Sequence, residues 1–362
     1  MKFGKTLQEL AIELDRQNRA KRDLLVDTPA LQLTHTNGAL TLSIDSAPAA
    51  SRDSIIEQMG VNDIAHRQIG QHLGIPARYY DKMLTSFPEL LTQNVNGWFN
   101  QTPARRMIRT LDGTARAFLS DRYRRIDNFE VAQAVLPIIS SMQGATVESC
   151  DLTDSRLYIK VVDPRVTAEI VKGDVVQAGV IITNSEVGLG SVNVSPLIYR
   201  LVCSNGMIAQ DAGIRKYHVG RLNEQGGDNY EIYRDETIEA DDRAFLMKLE
   251  DTVRAAVDQA QFARLVDKLR DSTEAKIEGA IVPRVVELAA NEFNLTQDEG
   301  KGVLGHLIEG GDLSLYGLAN AVTRHAKDVE SYDRSTELEA TGYKIITINP
   351  AIWRRINTEA VK

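Results

Sequence analysis

Apolar and polar positions alternate with two different periods along this chain, and each change of period marks an element. Residues 5–24 place Leu7, Leu10, Ala11 and Leu14 at helical spacing, with Glu9, Glu13, Arg16 and Lys21 on the other faces. That pattern predicts an amphipathic helix, stopped by Asp27-Thr28-Pro29. The stretches LQLTH and LTLSID then alternate with period two on either side of Thr36-Asn37-Gly38, so a hairpin is expected at 31–45. From 53 to 100 the pattern reads as helical, and residues 69–84, IGQHLGIPARYYDKML, have the cadence of a helix-turn-helix with Pro76 opening the second helix. Such a pair is more often a packing unit than a DNA reader. Arg67, Arg78 and Lys82 stand against Asp63 and Asp81, too little positive charge for strong phosphate contact.

Period-two segments follow. Residues 105–126 read as a second hairpin turning at Asp112-Gly113, with Arg116, Phe118 and Ser120 expected on one face and Ala115, Ala117 and Leu119 on the other. Asp127-Asn128 reads as the N-cap of an apolar helix, FEVAQAVLPIISSM. Strands are expected over 145–163, where Leu157, Ile159 and Val161 alternate with Arg156, Tyr158 and Lys160 to give one buried face and one basic, aromatic face. Pro164 and Gly173 bracket a connection. Residues 175–208 then form two long strands turning at Gly188-Leu189-Gly190, with Asn184, Ser185, Asn193, Ser195, Ser204 and Asn205 set among apolar neighbours. This stretch is the expected spine of the molecule. Its Asn and Ser side chains suit turn and strand-end hydrogen bonds as well as ligand contacts.

Past Gly206 the composition shifts. Ten carboxylates against three basic residues over 222–251 read as an acidic linker followed by a solvated helix face. Helices are expected at 241–271, with Phe245, Leu249, Val253, Ala256 and Ala260 on one stripe, and at 279–294, 297–309 and 313–327; YKIITINPAIWRRI is expected to revert to a short strand and a turn. The fold class is therefore α+β: a mostly antiparallel sheet with flanking helices, followed by a helical C-terminal part. The division falls into 1–220, an α+β core with the basic hairpin and the central polar-rich hairpin, and 221–362, mainly helical with the acidic linker and a final strand.

Length and composition fit a globular protein able to bury a sizeable core. No apolar run approaches a membrane span, the charged N-terminal stretch has no apolar signal region, and two cysteines, Cys150 and Cys203, fit a reducing compartment. A cytoplasmic, membrane-free protein is expected. The net charge of −8 restricts any nucleic-acid binding to a local patch.

That patch is the 105–126 segment. Seven arginines (Arg105, Arg106, Arg109, Arg116, Arg122, Arg124 and Arg125) stand against Asp112 and Asp121, a local charge of 7 − 2 = +5. Arginines interleaved with Phe118 and Tyr123 suit a single-stranded nucleic acid, cations tracking phosphates and rings stacking on bases. Arg156, Tyr158, Lys160 and Arg200 extend the candidate contact set. The commoner meaning of a charge run is a solvated, salt-bridged sheet face, and both readings stand on sequence alone.

Catalytic chemistry has little support. The six histidines, His35, His66, His72, His218, His306 and His325, show no H-E-x-x-H and no Cys/His pairing. No P-loop or G-x-G-x-x-G is present. Cys203-Ser204, Asp121 with Asp127, and Asp211 with His218 make no nucleophile or acid–base constellation. No metal and no cofactor are expected.

Four stretches carry a family resemblance: LQELAIELDRQNRAKRDLLVDT, RTLDGTARAFLSDRYRRIDN, TNSEVGLGSVNVSPLIYRLVCSNGMI and DLSLYGLANAVTRHAKDVESYDRSTELEATG. LSDRYR (Leu119–Arg124) followed by RLVCSNG (Arg200–Gly206) is the most specific combination. The chain resembles the phage/plasmid-like proteins grouped as domain of unknown function 932. The resemblance implies a gene of mobile elements and no catalytic residue. The order of elements is also similar to phage single-strand annealing proteins, a fold-level analogy that implies a homo-oligomer. The expectation is a non-catalytic protein binding single-stranded DNA or other nucleic acid in recombination or replication. The alternatives are a counter-defence protein that binds a host protein, with 222–251 mimicking nucleic acid, and an enzyme acting on nucleic acid or nucleotide with Asn184, Ser185, Asn193 and Asn205 in its pocket.

Overall fold

The computed structural model describes residues 1–36, 38–45, 56–210, 213–216, 235–277 and 282–361. The class is α+β, with two six-stranded, mostly antiparallel sheets and a helical C-terminal part. Helix α1 (Leu7–Ala20) is closed at its start by a Thr6/Glu9 capping box, which satisfies two otherwise orphaned backbone donors.

The first sheet comprises β1 (Arg22–Asp27), β2 (Leu31–Thr36), β3 (Ala39–Asp45), β4 (Ile56–Val61), β5 (Arg105–Leu111) and β6 (Thr114–Ser120), in the order β1-β5-β6-β4-β3-β2. The 31–45 hairpin is present. Residues 56–61 form a strand where a helix was expected, because pairing with β3 and, in parallel, with β6 supplies partners that local pattern does not show. Helices α2 (Asp63–His72), α3 (Ala77–Ser86) and α4 (Pro88–Gln101) cover one face. Ile69, Tyr80, Leu91, Val95 and Phe99 pack there on Leu33, Leu42, Ile108 and Phe118, so the predicted helix-turn-helix is a packing unit.

The β5–β6 hairpin departs from plain alternation. Its register skips Arg116 between Ala115 and Ala117, and this bulge sends Arg116 and Phe118 to different surroundings. Arg116 meets Glu186, whereas Phe118 lies in the core against Phe99. The shared face expected for them is corrected accordingly.

After α5 (Asn128–Ser141) the second sheet is built from β7 (Thr146–Leu152), β8 (Leu157–Glu169), β9 (Val175–Asn184), β10 (Val192–Arg200), β11 (Asn205–Ile208) and β12 (Ile214–Lys216). Strands β11 and β12 share the free edge of β10. Strand β8 runs through Pro164, which sits in a register shift between Asp163 and Thr167, where a residue without an N–H is tolerated.

This sheet is covered on both faces. Helices α1, α5 and α6 (Asp235–Ala256) bury Leu157, Ile159, Val161, Val180 and Ile182. The other face is covered by the layer of α7 (Gln259–Glu274), α8 (Val282–Glu292), α9 (Gln297–Gly310), α10 (Leu315–His325), α11 (Tyr332–Ile346) and α12 (Pro350–Ala360), in which α7, α10 and α11 pack on the strands and α8, α9 and α12 on other helices; its core includes Val176, Ala178, Ile198 and Met207. Core packing therefore continues across the boundary drawn near 220. The stripe of Phe245, Leu249 and Val253 is buried, but 241–271 is two helices, because Asp258 caps α7 and ends the run. The final strand is corrected to helix: Tyr343, Ile345 and Ile346 lie on buried positions of α11, and a short apolar run fits either period. The acidic linker of 222–234 and the pair Asp211 and His218 lie outside the described residues. No described helix is long and apolar enough to cross a membrane.

Covering both faces also buries the expected basic, aromatic face of β8, which is the second correction to the strand pattern. Lys160 Nζ lies 2.7 Å from Glu339 Oε2 with both side chains fully buried, and the ammonium sits 4.6 Å from the Tyr332 ring centroid. A buried pair stabilises little in itself, yet removing one member strands the other charge. Lys160→Met is expected to cost about 3–5 kcal/mol in urea unfolding, and Lys160→Met with Glu339→Leu to recover most of that loss; equal losses in single and double variants would show that the pair does not act as a unit.

Candidate functional site

The loop from Ser185 to Ser191, between β9 and β10, lies between the two sheets. Gly188 has φ +77°, and a Cβ there would fall 2.6 Å from Leu119, so the turn suits glycine on both counts. Gln68 on α2 fixes the loop by donating to the Val187 carbonyl at 2.7 Å while accepting from the Phe118 amide. The Tyr123 hydroxyl donates to the Ser185 carbonyl at 3.0 Å.

Arg109 occupies the centre of this junction with no solvent exposure. Its guanidinium donates to both Asp23 oxygens (2.8 and 3.2 Å), to Asp127 at 2.7 Å and to the Glu186 carbonyl at 3.0 Å. Lys21 also pairs with Asp127, and Arg116 with the Glu186 carboxylate. Glu186 in turn accepts from the Asn128 amide. Burial opposes the charge on Asp127, but Arg109 and Lys21 outweigh it and hold the carboxyl below its ordinary range. Lys21, Arg109 and Arg116 thus balance Asp23, Asp127 and Glu186, with Arg125 reaching Asp23 from the surface, between the end of α1, β1, β5, β6, the start of α5 and the loop.

The predicted contact residues divide by partner. Arg109, Arg116, Tyr158 and Lys160 are buried; Arg109, Arg116 and Lys160 are closed to an outside ligand in this structure, whereas Tyr158 borders a cleft. Arg106 lies 5.0 Å from the Phe118 ring centroid; that ring is itself buried and offers no stacking surface. Arg124 meets Asp241 at 3.2 Å, Arg125 meets Asp23 at 3.3 Å, and Arg200 meets Asp174 at 2.7 Å. Arg105 and Arg122 are exposed. Arg156 is half-buried and donates to the Leu189 carbonyl.

The polar residues of the central hairpin mostly serve the fold. Asn184 donates to the Ile126 carbonyl and to Asn128 Oδ1, both at 2.9 Å. The Ser185 hydroxyl accepts from the Leu189 amide, and Asn205 donates to Thr323. Asn193 differs.

It lines a cleft of about 300 Å³ between the second sheet and α11, together with Arg156, Tyr158, Ile181, Thr183, Gly190, Ser191, Ile208, Gln210, Asp333, Thr336 and Glu337. Asp333 is preset by three hydroxyl donors: Tyr158 at 2.7 Å, Thr153 at 3.0 Å and Ser155 at 2.6 Å. Burial, with Asp333 beside it, pushes the Tyr158 phenol far above its ordinary pKa. Glu337 pairs with Arg334 at 2.8 Å. The Thr336 hydroxyl oxygen is buried and has no hydrogen-bond partner, an uncompensated polar group of the kind a ligand can satisfy. Sequence reasoning found Arg156, Tyr158 and Asn193 but not Asp333, Thr336 and Glu337. Their spacing places them on one helix face, a signal hidden because the segment shows no motif.

The molecule is thus an α+β protein whose two sheets share a charged junction beside a polar cleft. A family model described as Domain of unknown function (DUF932) matches residues 116–349, well over half of the chain. The chain belongs to that family. No curated protein and no solved structure matches it.

Arg109→Met leaves Asp23 and Asp127 without their shared cation, and a loss of about 3–5 kcal/mol is expected. Because the folded-state pKa of Asp127 is depressed, its contribution is present above the unfolded-state pKa and fades as pH falls through the folded one. Urea midpoints measured from about pH 7 down to about pH 2 should therefore fall less steeply in Arg109→Met than in the wild type, so that the gap between the two narrows as the pH drops. Superimposable pH profiles would refute this role for the junction.

Proposed function

We propose that this protein binds single-stranded nucleic acid without catalysis, taking one unpaired nucleotide into the cleft between the second sheet and α11. The observation that carries the reading is the composition of that cleft. Ile181 and Ile208 form an apolar floor, Thr183, Asn193, Gln210 and Thr336 bring both donors and acceptors, and Arg156 brings a guanidinium. Base edges and sugar hydroxyls demand that mixture, and a phosphate demands the cation. A volume of about 300 Å³ is at the small end of ligand sites, matching a single nucleotide unit rather than a duplex. The loop that touches Arg156 on one side touches Leu119 and Tyr123 on the other, joining the cleft to the segment that carries Arg122.

Binding without chemistry is favoured because the carboxylates lining the cleft are committed to internal partners, Asp333 to three hydroxyls and Glu337 to Arg334. A role in recombination or replication of a mobile element is part of the proposal and is supported by the family resemblance alone.

Internal pairing of most of the arginines fixes the electrostatic expectation. Ten cations at about −0.7 per phosphate contact would give a salt slope near about −7 for a single strand. With contacts restricted to Arg105, Arg122 and Arg156, and Arg125 as a fourth, the slope should be about −2 to −3. Fluorescence anisotropy with a labelled mixed-sequence oligonucleotide reads this directly. Arg156→Gln should weaken binding about tenfold and flatten the slope by about 0.7, and Thr336→Leu, which fills the cleft, should weaken it without changing the slope. No binding at low salt, or wild-type affinity in both variants, would sink the reading.

A further inference from the structure

A second cluster lies apart from the cleft, where α9, α10 and the turn after α10 meet. His306 Nε2 is 2.6 Å from Asp328 Oδ2, and His325 Nδ1 is 3.4 Å from the same oxygen. All three atoms lie within 4.8 Å of one another, and the two imidazoles are 5.9 Å apart between centroids.

Local structure builds this arrangement. The Asp328 amide donates to the His325 carbonyl at 2.9 Å, closing a turn that returns the carboxylate over the ring. Gly302 on α9 lets the His325 ring approach, since a Cβ there would lie 2.4 Å from it. The ring is held close to one place.

A hydrogen bond explains only half of the cluster. His306 and Asp328 at 2.6 Å form an ordinary charge-assisted pair. His325 Nδ1, however, is buried and has no hydrogen-bond partner, although it lies near Asp328 Oδ2. An unsatisfied buried polar atom is costly to leave unmatched. A metal ion is the partner that a nitrogen lone pair, a second imidazole nitrogen and a carboxylate oxygen would share.

We propose that His306, His325 and Asp328 form a binding site for one divalent transition-metal ion of the zinc type. Two imidazoles and one carboxylate select such an ion over calcium or magnesium, which take oxygen ligands. Three protein ligands leave the fourth position open to solvent, and the half-exposed Asp328 side chain gives the ion a way in. Glu309, held by Arg324 at 2.8 Å, lies 3.8 Å from His306 Nδ1, beyond hydrogen-bond distance, and adds a negative charge beside the cluster. This site is independent of the nucleic-acid reading, and either can fail without the other.

The test uses the full chain without an affinity tag, stripped with chelator and dialysed. Calorimetric titration with zinc chloride should show one equivalent bound and a raised melting temperature, and cobalt(II) should give visible absorption bands. His325→Asn and Asp328→Asn should each lose the bands and at least about tenfold in zinc affinity, whereas Glu309→Gln, which removes no ligand, should keep the bands. Circular dichroism checks the fold of each variant, and His306→Gln replaces any that does not fold. Absence of stoichiometric zinc uptake by the wild type, or wild-type zinc affinity in the folded ligand variants, would overturn the proposal.

Discussion

An arginine removed from water keeps its charge only where its surroundings neutralise it and occupy its donors. Arg109 meets that condition through Asp23, Asp127 and the Glu186 carbonyl, and each comes from a different part of the chain. Asp23 is on the edge strand of the first sheet, Asp127 caps α5, and Glu186 belongs to the loop between β9 and β10. Satisfying one guanidinium therefore fixes the first sheet against the second. The same loop carries Gly190, which lies beside Arg156 at the cleft. The geometry of the candidate site thus depends on a charge that never reaches solvent.

The second constraint is coverage. A sheet with one open face would show β8 as an alternating strand, but helices lie on both sides of this one. Lys160 consequently faces Glu339 and the Tyr332 ring, and Tyr158 faces Asp333. The cleft forms beside these contacts, between the sheet and α11, with side chains already oriented by internal hydrogen bonds. Preset donors and acceptors of this kind reduce the ordering cost of binding. The metal-ligating cluster is built differently, from two helices and a tight turn, and uses none of the same groups.

Much of the fold was legible in the chain. The Thr36-Asn37-Gly38 turn announced the first hairpin, Asp127 announced α5, and Phe245, Leu249 and Val253 announced the buried stripe of α6. The misread segments share a cause. Residues 56–61 became a strand because β3 and β6 were available to pair with them, and Tyr343 to Ile346 became helical because α11 continues through them. A run of a few apolar residues fits either period, so its outcome rests on neighbours distant in sequence. The candidate site was legible only in part: Arg156, Tyr158 and Asn193 stand out among strand residues, whereas Asp333, Thr336 and Glu337 look like any polar helix face.

What the chain determined by itself was local: the periods, the caps, the turns, the α+β class and the concentration of arginine between 105 and 125. Only the tertiary structure decided what those arginines do. Arg109 and Arg116 turn inward to carboxylates, Arg106 lies over a buried ring, and Arg105 and Arg122 remain at the surface. The reason is physical. Period and propensity act over a few residues, but the worth of a charge is set by burial and by the nearest opposite charge. For Arg109 those partners stand eighty-six residues before it, at Asp23, and eighteen after it, at Asp127, a pairing that no local pattern encodes.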